Sequence, residues 1–455
     1  MQTPIGLTVI GLAIVAVTVG ILIRGRTSPM VVMTLVPAAG ALIAGYSLES
    51  LGEFFGIGLE SVMNVVVMFI FAIIYFGIMQ DVGLFNPLVK GLILATRGNV
   101  VLVALGTAAI GTVAHLDGAG ASTFLLTIPA LLPLYKAMHM SRYVLLCIVA
   151  IAASVMNMVP WAGPIGRAAT VIEQDPVQLW QHLLPIQGLA LIGVLLIAAA
   201  LGFTEKRRIA KLRQSPDFGG KDGAVDVRKI AEDFIADQKR HQEEQGYTHR
   251  TARWVMIFNL VLSLILLVTL VSGLLPPAPA FLIATAIALI VNFSGSHEQS
   301  KTLQRHAPNA LSMAGVLIAA AMFLGVLNGS GMLEQIALTL LAVLPASVGP
   351  WIHVIVGLLG VPLDLMTSTD AYYFSVLPIV QETAAAYGVT GLGAATALII
   401  GNIIGTFVSP FSPALWLAVG LAQANMGRHI KLTFPIAWAF SMVMVLLALA
   451  LGMLA

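Results

Sequence analysis

Long runs of Ala, Val, Leu, Ile and Met recur along the chain with no polar face, a pattern that fits buried or lipid-facing helices and not the one-sided helices of a soluble domain. The runs fall at 7–23, 29–46, 58–80, 98–114, 143–159, 183–203, 254–274, 279–293, 308–327, 351–363, 393–408 and 433–454. A bilayer crossing needs about 20 apolar residues. Inside hydrocarbon every backbone N–H and C=O must be bonded within the protein, and a lone run achieves that only as a helix. The pattern therefore predicts an all-α polytopic membrane protein. The first run follows MQTPIG, which has no basic residue, and leads directly into RGR, so it reads as a retained helix and not a cleavable signal.

Composition agrees, since 58% of the 455 residues are hydrophobic and 10% are charged, which excludes a soluble globular domain. Cys147 is the only cysteine, so no intrachain disulfide can form, and a buried, unreactive thiol is expected. The charges are unevenly placed. Residues 204–253 hold 12 basic and 9 acidic side chains, close to half of all charges in the chain. This segment reads as a solvated cytoplasmic linker between an N-terminal membrane region, 1–203, and a C-terminal one, 254–455. Within it, 227–245 has helical spacing with Ile230, Phe234 and Ile235 on one face.

The positive-inside rule then threads the chain. All Lys and Arg except Arg167 fall on the cytoplasmic side if 98–135 and 351–381 are re-entrant hairpins that enter and leave on one side. Their tips would be DGAGAST and the region of DLMTSTD, and about ten spans remain. Segments assigned outside then carry Glu49, Glu53, Glu173, Asp175 and Glu382.

Each half shows the same order. ASTFLLTIPALLPLY is followed by an apolar helix and MVPWAGPIGR; TSTDAYYFSVLPIV is followed by an apolar helix and FVSPFSPALW. A Ser-Thr hairpin thus precedes a helix interrupted by paired prolines in both. An odd number of crossings before the linker gives the halves opposite topology, the inverted-repeat plan of secondary transporters. A Gly-Ala-Gly tip at membrane depth must be packed in protein or line a wet cavity. Free N–H groups at helix starts, with the hydroxyls of Ser122, Thr123, Ser368 and Thr369, suit a small carboxylate.

Each of these residues also has a plainer reading. Hydroxyls in membrane helices commonly bond the preceding turn, although their repetition at both tips favours a site. Arg167 could snorkel to an interface, but it follows a Pro-x-x-x-Pro break and offers a fork that matches a carboxylate. Asp117 and Asp370 are costly in the membrane unless paired or protonated. Asp364 could cap the hairpin helix. His115 reads equally as a packing histidine or a proton-transfer group. Trp161, Trp416, Tyr372 and Tyr373 could be packing or interfacial aromatics, and MNMV reads as core.

LDGAGAST with PALLPLY, MNMVPWAGPIGRAA, STDAYYFSVLP and SPFSPALWLAVGL, in that order across both halves, resemble the citrate-metal/proton symporter family (CitMHS) of the ion transporter superfamily. The chain departs from the family pattern at Ala119 and Ser375, where some members carry an acid and a glycine. The resemblance implies a fold similar to divalent-anion/sodium symporters and uptake of citrate, complexed to a divalent cation such as Mg²⁺ or Ca²⁺, with protons across a bacterial inner membrane. It places Gly118, Gly120, Ser122, Thr123, Trp161 and Arg167 on one side of the substrate and Ser368, Thr369 and Ser409 on the other. His115, Asp117 and Asp370 become the proton-coupling candidates, the two aspartates also being candidate metal contacts.

The charge count agrees with a metal complex. One fixed cation, Arg167, stands against Asp117 and Asp370, a poor receptor for free trianionic citrate. The expected partners are citrate or a related carboxylate, a divalent cation as co-substrate, protons and the bilayer, with a homodimer as an option. No permanently bound cofactor and no nucleic acid is called for. The alternative is a sodium-coupled di- or tricarboxylate transporter on the same scaffold. HExxH, Gly-x-Ser-x-Gly and phosphate-binding glycine loops are all missing from the sequence, which argues against an enzyme.

Overall fold

The computed structural model describes residues 3–24, 26–214, 226–244, 250, 252–343, 345, 347–366 and 369–455, and within them every regular element is helical. The first half runs α1 (Pro4–Arg24), α2 (Pro29–Ala44), α3 (Leu48–Asp81), α4 (Asn86–Ala95), hairpin arms α5 (Val100–Ala114) and α6 (Gly120–Ala137), then α7 (Arg142–Met156), α8 (Gly163–Val171) and α9 (Pro176–Arg213). After the linker helix α10 (Val227–Glu244) come α11 (Arg253–Ser272), α12 (Pro277–Asn292), α13 (Gly295–Gly329) and α14 (Met332–Val343). The second hairpin rises through α15 (Ile352–Leu358) and α16 (Gly360–Met366). It returns through α17 (Thr369–Ala371), a π-helical turn at Tyr372–Val376 and α18 (Leu377–Ala385). The chain ends with α19 (Gly391–Ile403), α20 (Pro413–Leu421) and α21 (Met426–Ala450).

Local chemistry sets these boundaries. Ser47, Asn99, Asp175, Thr390 and Asn425 cap α3, α5, α9, α19 and α21 with their side-chain oxygens, while proline opens α2, α9 and α12. Seven helices among the described residues are long and apolar enough to cross a membrane, or eight if α15 and α16, bent by 65°, count as one span. The expected spans at 143–159 and 393–408 end early, as α7 and α19, because each is interrupted and resumes as the short α8 or α20. The expected runs at 29–46 and 279–293 are 16-residue helices, α2 and α12, each flanking the long α3 or α13. Two short apolar helices, α4 and α14, lie at matching places before the two hairpins and were not separable in the hydrophobic pattern.

Helices α3 and α13, each about 50 Å long by helical rise, pack antiparallel along their length, with α12 against α3 and α2 against α13. Their backbones touch where glycines permit it. A Cβ on Gly58 would overlap the Ala321 carbonyl, and one on Gly325 would overlap the Phe54 carbonyl. Small residues are the means by which membrane helices reach such contact. At the end of α3, Asp81 Oδ2 receives Arg305 Nη1 at 3.1 Å and His306 Nε2 at 2.9 Å from α13. The outer surface is apolar where lipid must meet it, as on α11, where Leu264, Ile265 and Val268 are more than half exposed.

The linker helix has the expected face. Phe234 and Ala231 are buried, Ile230 and Ile235 half-buried, and the helix lies on α4 and α6. Gln242 Nε2 also donates to the Asp81 carbonyl at 2.9 Å.

Replacing Gly325 by Ala should destabilise the protein by about 1–3 kcal/mol, because the obstacle is a backbone carbonyl that no rotamer change can clear. Gly52→Ala, on the same α3 but with nothing within 4 Å of the new methyl, should be neutral or slightly stabilising. Thermal unfolding of the two variants in detergent checks the difference.

Candidate functional site

The first hairpin turns over through one 3-10 turn, His115–Asp117, and Gly118 at φ 71°, a conformation that needs glycine. Asp117 fastens the turn: Oδ1 accepts the Ala119 N–H at 2.9 Å and Oδ2 accepts the Ser122 hydroxyl. The tip is wedged between two breaks. A Cβ on Gly118 would press on Trp161 and Ala162, and one on Gly120 would strike Phe407 and Ala414. Both glycines therefore serve close packing of the tip.

His115 is fully buried. Its Nδ1 lies 2.6 Å from Thr123 Oγ1 and its Nε2 2.8 Å from Asn157 Oδ1. Thr123 Oγ1 also lies 2.9 Å from the Ala119 carbonyl. The threonine can donate to the ring or to that carbonyl, so the network suits a neutral or a charged imidazole. Asn157 ties the hairpin to the break between α7 and α8. Sequence reading passed over it as part of the MNMV core, where a single amide between two methionines gives no local sign of this role.

Trp161, in the same break, donates Nε1–H to the Leu116 carbonyl at 2.7 Å. Its ring stacks on Phe76 at 5.0 Å and meets Phe281 and Trp180 at 5.5 and 6.1 Å. With 2% exposure it braces the break within an aromatic cluster.

Arg167 sits on α8 and reaches the opposite half. Its Nε donates to Asp370 Oδ1 at 2.6 Å, and both side chains are mostly buried, at 13% and 14% exposure. The guanidinium folds over Gly163, where a Cβ would meet Nη1. No other hydrogen bond holds it among the described residues, so the two terminal nitrogens keep their N–H groups for another acceptor. Thr369 and Asp370 open α17, while Ser368 lies outside the described residues. Ser409, in the break between α19 and α20, is buried and donates to the Asp364 carbonyl at 2.6 Å. Asp364 lies within α16 and is no cap; its Oδ1 accepts from Asn402 Nδ2 at 2.9 Å.

These contacts form one plan. Each hairpin is bonded to the break of its own half through an asparagine, His115 to Asn157 and Asp364 to Asn402. Each also touches the break of the other half. Phe407 stands edge-on to His115 at 5.5 Å and to Phe124 at 5.1 Å, and Arg167 pairs with Asp370. Among the described residues no cluster of three or more His, Cys, Asp or Glu could hold a metal. A cavity of about 120 Å³ lies beyond α8 toward α18, with Glu173, Gln381 and Glu382 in its wall.

Comparison with known proteins matches this architecture to a transport family. Residues 3–401 fit the sequence profile of CitMHS, described as citrate transporter. A citrate transporter of Bacillus subtilis (strain 168) is 33% identical over 448 residues, covering 98% of this chain and 99% of its own. A Mg²⁺/citrate complex secondary transporter of the same organism is 33% identical over 445 residues, covering 98% of both. The YdaH transporter of Alcanivorax borkumensis has a similar fold, with a TM-score of 0.55 at 15% identity over 89% of this chain and 90% of that one. MtrF of Neisseria gonorrhoeae gives 0.57 at 13% identity, over 90% and 83%. Profile and relatives alike are transporters and not enzymes, and this multi-pass membrane protein belongs to the citrate transporter family.

Proposed function

We propose that this protein takes up citrate as a complex with a divalent cation, Mg²⁺ or Ca²⁺, in symport with protons across a bacterial inner membrane, with the linker 204–253 in the cytoplasm. The observation that carries this reading is the Arg167–Asp370 pair at the junction of the halves. The only arginine of the site already has a carboxylate, so the interior offers no surplus positive charge to a trianion. Complexing with a divalent cation leaves citrate about one negative charge, which a single guanidinium can match. The acids Glu173 and Glu382 at the nearby cavity would also repel free citrate more than its metal complex. The relative that transports a Mg²⁺/citrate complex supports the same view.

The pair also supplies a link to protons. A citrate carboxylate that binds the terminal nitrogens of Arg167 end-on shares the guanidinium with Asp370, which holds Nε. One positive charge then serves two carboxylates, and in a low-dielectric site a proton on Asp370 is the simplest way to restore the balance. Substrate binding and proton uptake are thereby joined at one salt bridge. Ser122, Thr123, Thr369 and Ser409 belong to the tips and breaks around this junction, with His115 and Asp117 as the proton-handling groups of the first hairpin. The metal is held mainly through citrate's own oxygens, as suits a hard cation.

Arg167→Lys keeps the charge but not the fork. Uptake efficiency should fall roughly thirtyfold, the equivalent of about 2 kcal/mol for lost charge-assisted hydrogen bonds, measured with labelled citrate in proteoliposomes.

Asp370→Asn leaves Arg167 without a carboxylate and removes the acid that would exchange the proton. Citrate entry in this variant should lose its response to an imposed pH gradient.

Chelating divalent cations should collapse citrate uptake by the wild type, and adding back Mg²⁺ or Ca²⁺ should restore it, with metal and citrate entering in fixed ratio under double labelling. Undiminished uptake in EDTA, driven by a sodium gradient, would establish the sodium-coupled carboxylate reading in its place.

A further inference from the structure

Where the second hairpin packs on α19, two buried acceptors have no partner among the described residues. Asp364 Oδ2 and Asn402 Oδ1 are both fully buried and have no hydrogen-bond partner among the described residues, although the same two side chains are joined by Asn402 Nδ2 to Asp364 Oδ1 at 2.9 Å. Buried polar atoms are rarely left in this state. Among the described residues the other buried carboxylates each have donors: Asp117 has Ala119 and Ser122, Asp81 has Arg305 and His306, and Glu205 has Arg208 and the Ser141 N–H; the mostly buried Asp370 has Arg167.

One proton accounts for both orphans. A carboxylic acid and a primary amide each carry one donor and one acceptor on the same edge. If Asp364 Oδ2 bears a hydrogen, it donates to Asn402 Oδ1 while Asn402 Nδ2 donates back, and both orphan oxygens gain a partner. The same fold already builds such a reciprocal pair from two amides at α11 and α12. Asn259 Nδ2 donates to Asn292 Oδ1 at 2.8 Å and Asn292 Nδ2 returns to Asn259 Oδ1 at 2.9 Å, both residues being buried. The first hairpin has the equivalent arrangement in His115 and Asn157, but there both ring nitrogens are engaged.

The surroundings supply no cation to Asp364. Helix α19, which packs on α16, has no titratable residue. On α15, His353 bonds the Leu454 carbonyl. On α21, His429 bonds the Phe407 carbonyl, and Arg428 and Lys431 are its other charged groups. Tyr372 and Tyr373 of the π-helical turn interact electrostatically with Asp364; Tyr372 points its hydroxyl toward the Leu398 carbonyl at 3.4 Å, and the Tyr373 hydroxyl is unpartnered. Arg167 is engaged by Asp370.

We propose that Asp364 and Asn402 form a proton-binding site of the C-terminal half, with the proton on Asp364 Oδ2 and Asn402 holding it. The inference rests on the proton-symport reading and adds a second acid to it. In the step, a proton from water forms the O–H bond at Oδ2, and it returns to water on the other side when this arm of the hairpin parts from α19. Ser409 bonds the Asp364 carbonyl, and Asp370 lies on the same hairpin, so release of Arg167 and opening of the acid–amide pair involve the same moving piece.

Infrared difference spectroscopy on the full chain in liposomes tests the site directly. At neutral pH the wild type should show the carbonyl-stretch band of a protonated buried acid, absent from Asp364→Asn. Asn402→Ala keeps the acid and removes the amide; a shifted band confirms the pair, and an unmoved one refutes it, without need of the Asp364→Asn protein. In transport, Asp364→Asn should lose pH-driven accumulation far more than citrate–citrate exchange. Accumulation equal to wild type overturns the proposal, as does a band that disappears when sodium is added, which would assign the two oxygens to that cation. If the wild type moves citrate without protons, the functional reading fails while the band still decides whether Asp364 holds a proton.

Discussion

The fold turns on the rule that no backbone polar group can be left open in hydrocarbon. Two helices break at mid-course, between α7 and α8 and between α19 and α20, and each break frees N–H and C=O groups that a straight span would have bonded. Turns within each break meet part of this need, as where Val159 N–H bonds the Met156 carbonyl and Ser409 N–H the Gly405 carbonyl, and side chains of the breaks in turn serve open carbonyls of the hairpins. Trp161 caps the Leu116 carbonyl, Ser409 the Asp364 carbonyl, and an asparagine at each break reaches the neighbouring hairpin. The two kinds of element therefore meet, and their meeting point gathers buried polar groups from both halves.

The halves share this plan but differ in chemistry. The first hairpin closes on itself with His115, Thr123, Asp117 and Ser122, whose polar atoms find partners nearby. The second depends on distant ones: Asp370 needs Arg167 from the other half. Its backbone is less regular too, with a bend, a three-residue α17 and a π-helical turn where the first has one tight turn and a continuous return helix. π-helical turns and interrupted helices are common where function requires side chains to be re-aimed. The second hairpin is thus the more adaptable, and it holds the acids on which coupling is proposed to rest.

Most of the architecture was legible because the bilayer imposes a simple code on sequence. Apolar runs gave the helices, Gly-Ala-Gly and paired prolines gave the tips and breaks, and the spacing of Ile230, Phe234 and Ile235 gave the packed face of α10. What escaped had no local mark. Helices α4 and α14 are too short to cross, and the single charge in each, Lys90 and Glu334, does not set them off from the neighbouring runs. Asn157 and Asn402 are single amides in apolar runs, and only the folded structure shows what they bond. Arg167 and Asp370 could each be flagged as an expensive charge, but their union spans 203 positions of sequence and no spacing rule predicts it. Gly118 and Gly120 were visible as a hairpin tip that protein or a wet cavity must surround, whereas their close contacts with Trp161 and Phe407 are properties of packing.

The aromatic cluster around Trp161 has a practical side. Its indole touches α3 through Phe76, α9 through Trp180 and α12 through Phe281, and its own backbone belongs to the break that leads to Arg167. Trp254, Trp351 and Trp416, by contrast, are each more than half exposed at the periphery. With the half-buried Trp438 replaced, emission from the two buried indoles is therefore separable, by quenchers confined to lipid or water, from that of the outer ones. The molecule carries a native optical gauge at the hinge of its first broken span, able to register rearrangement there without any attached label.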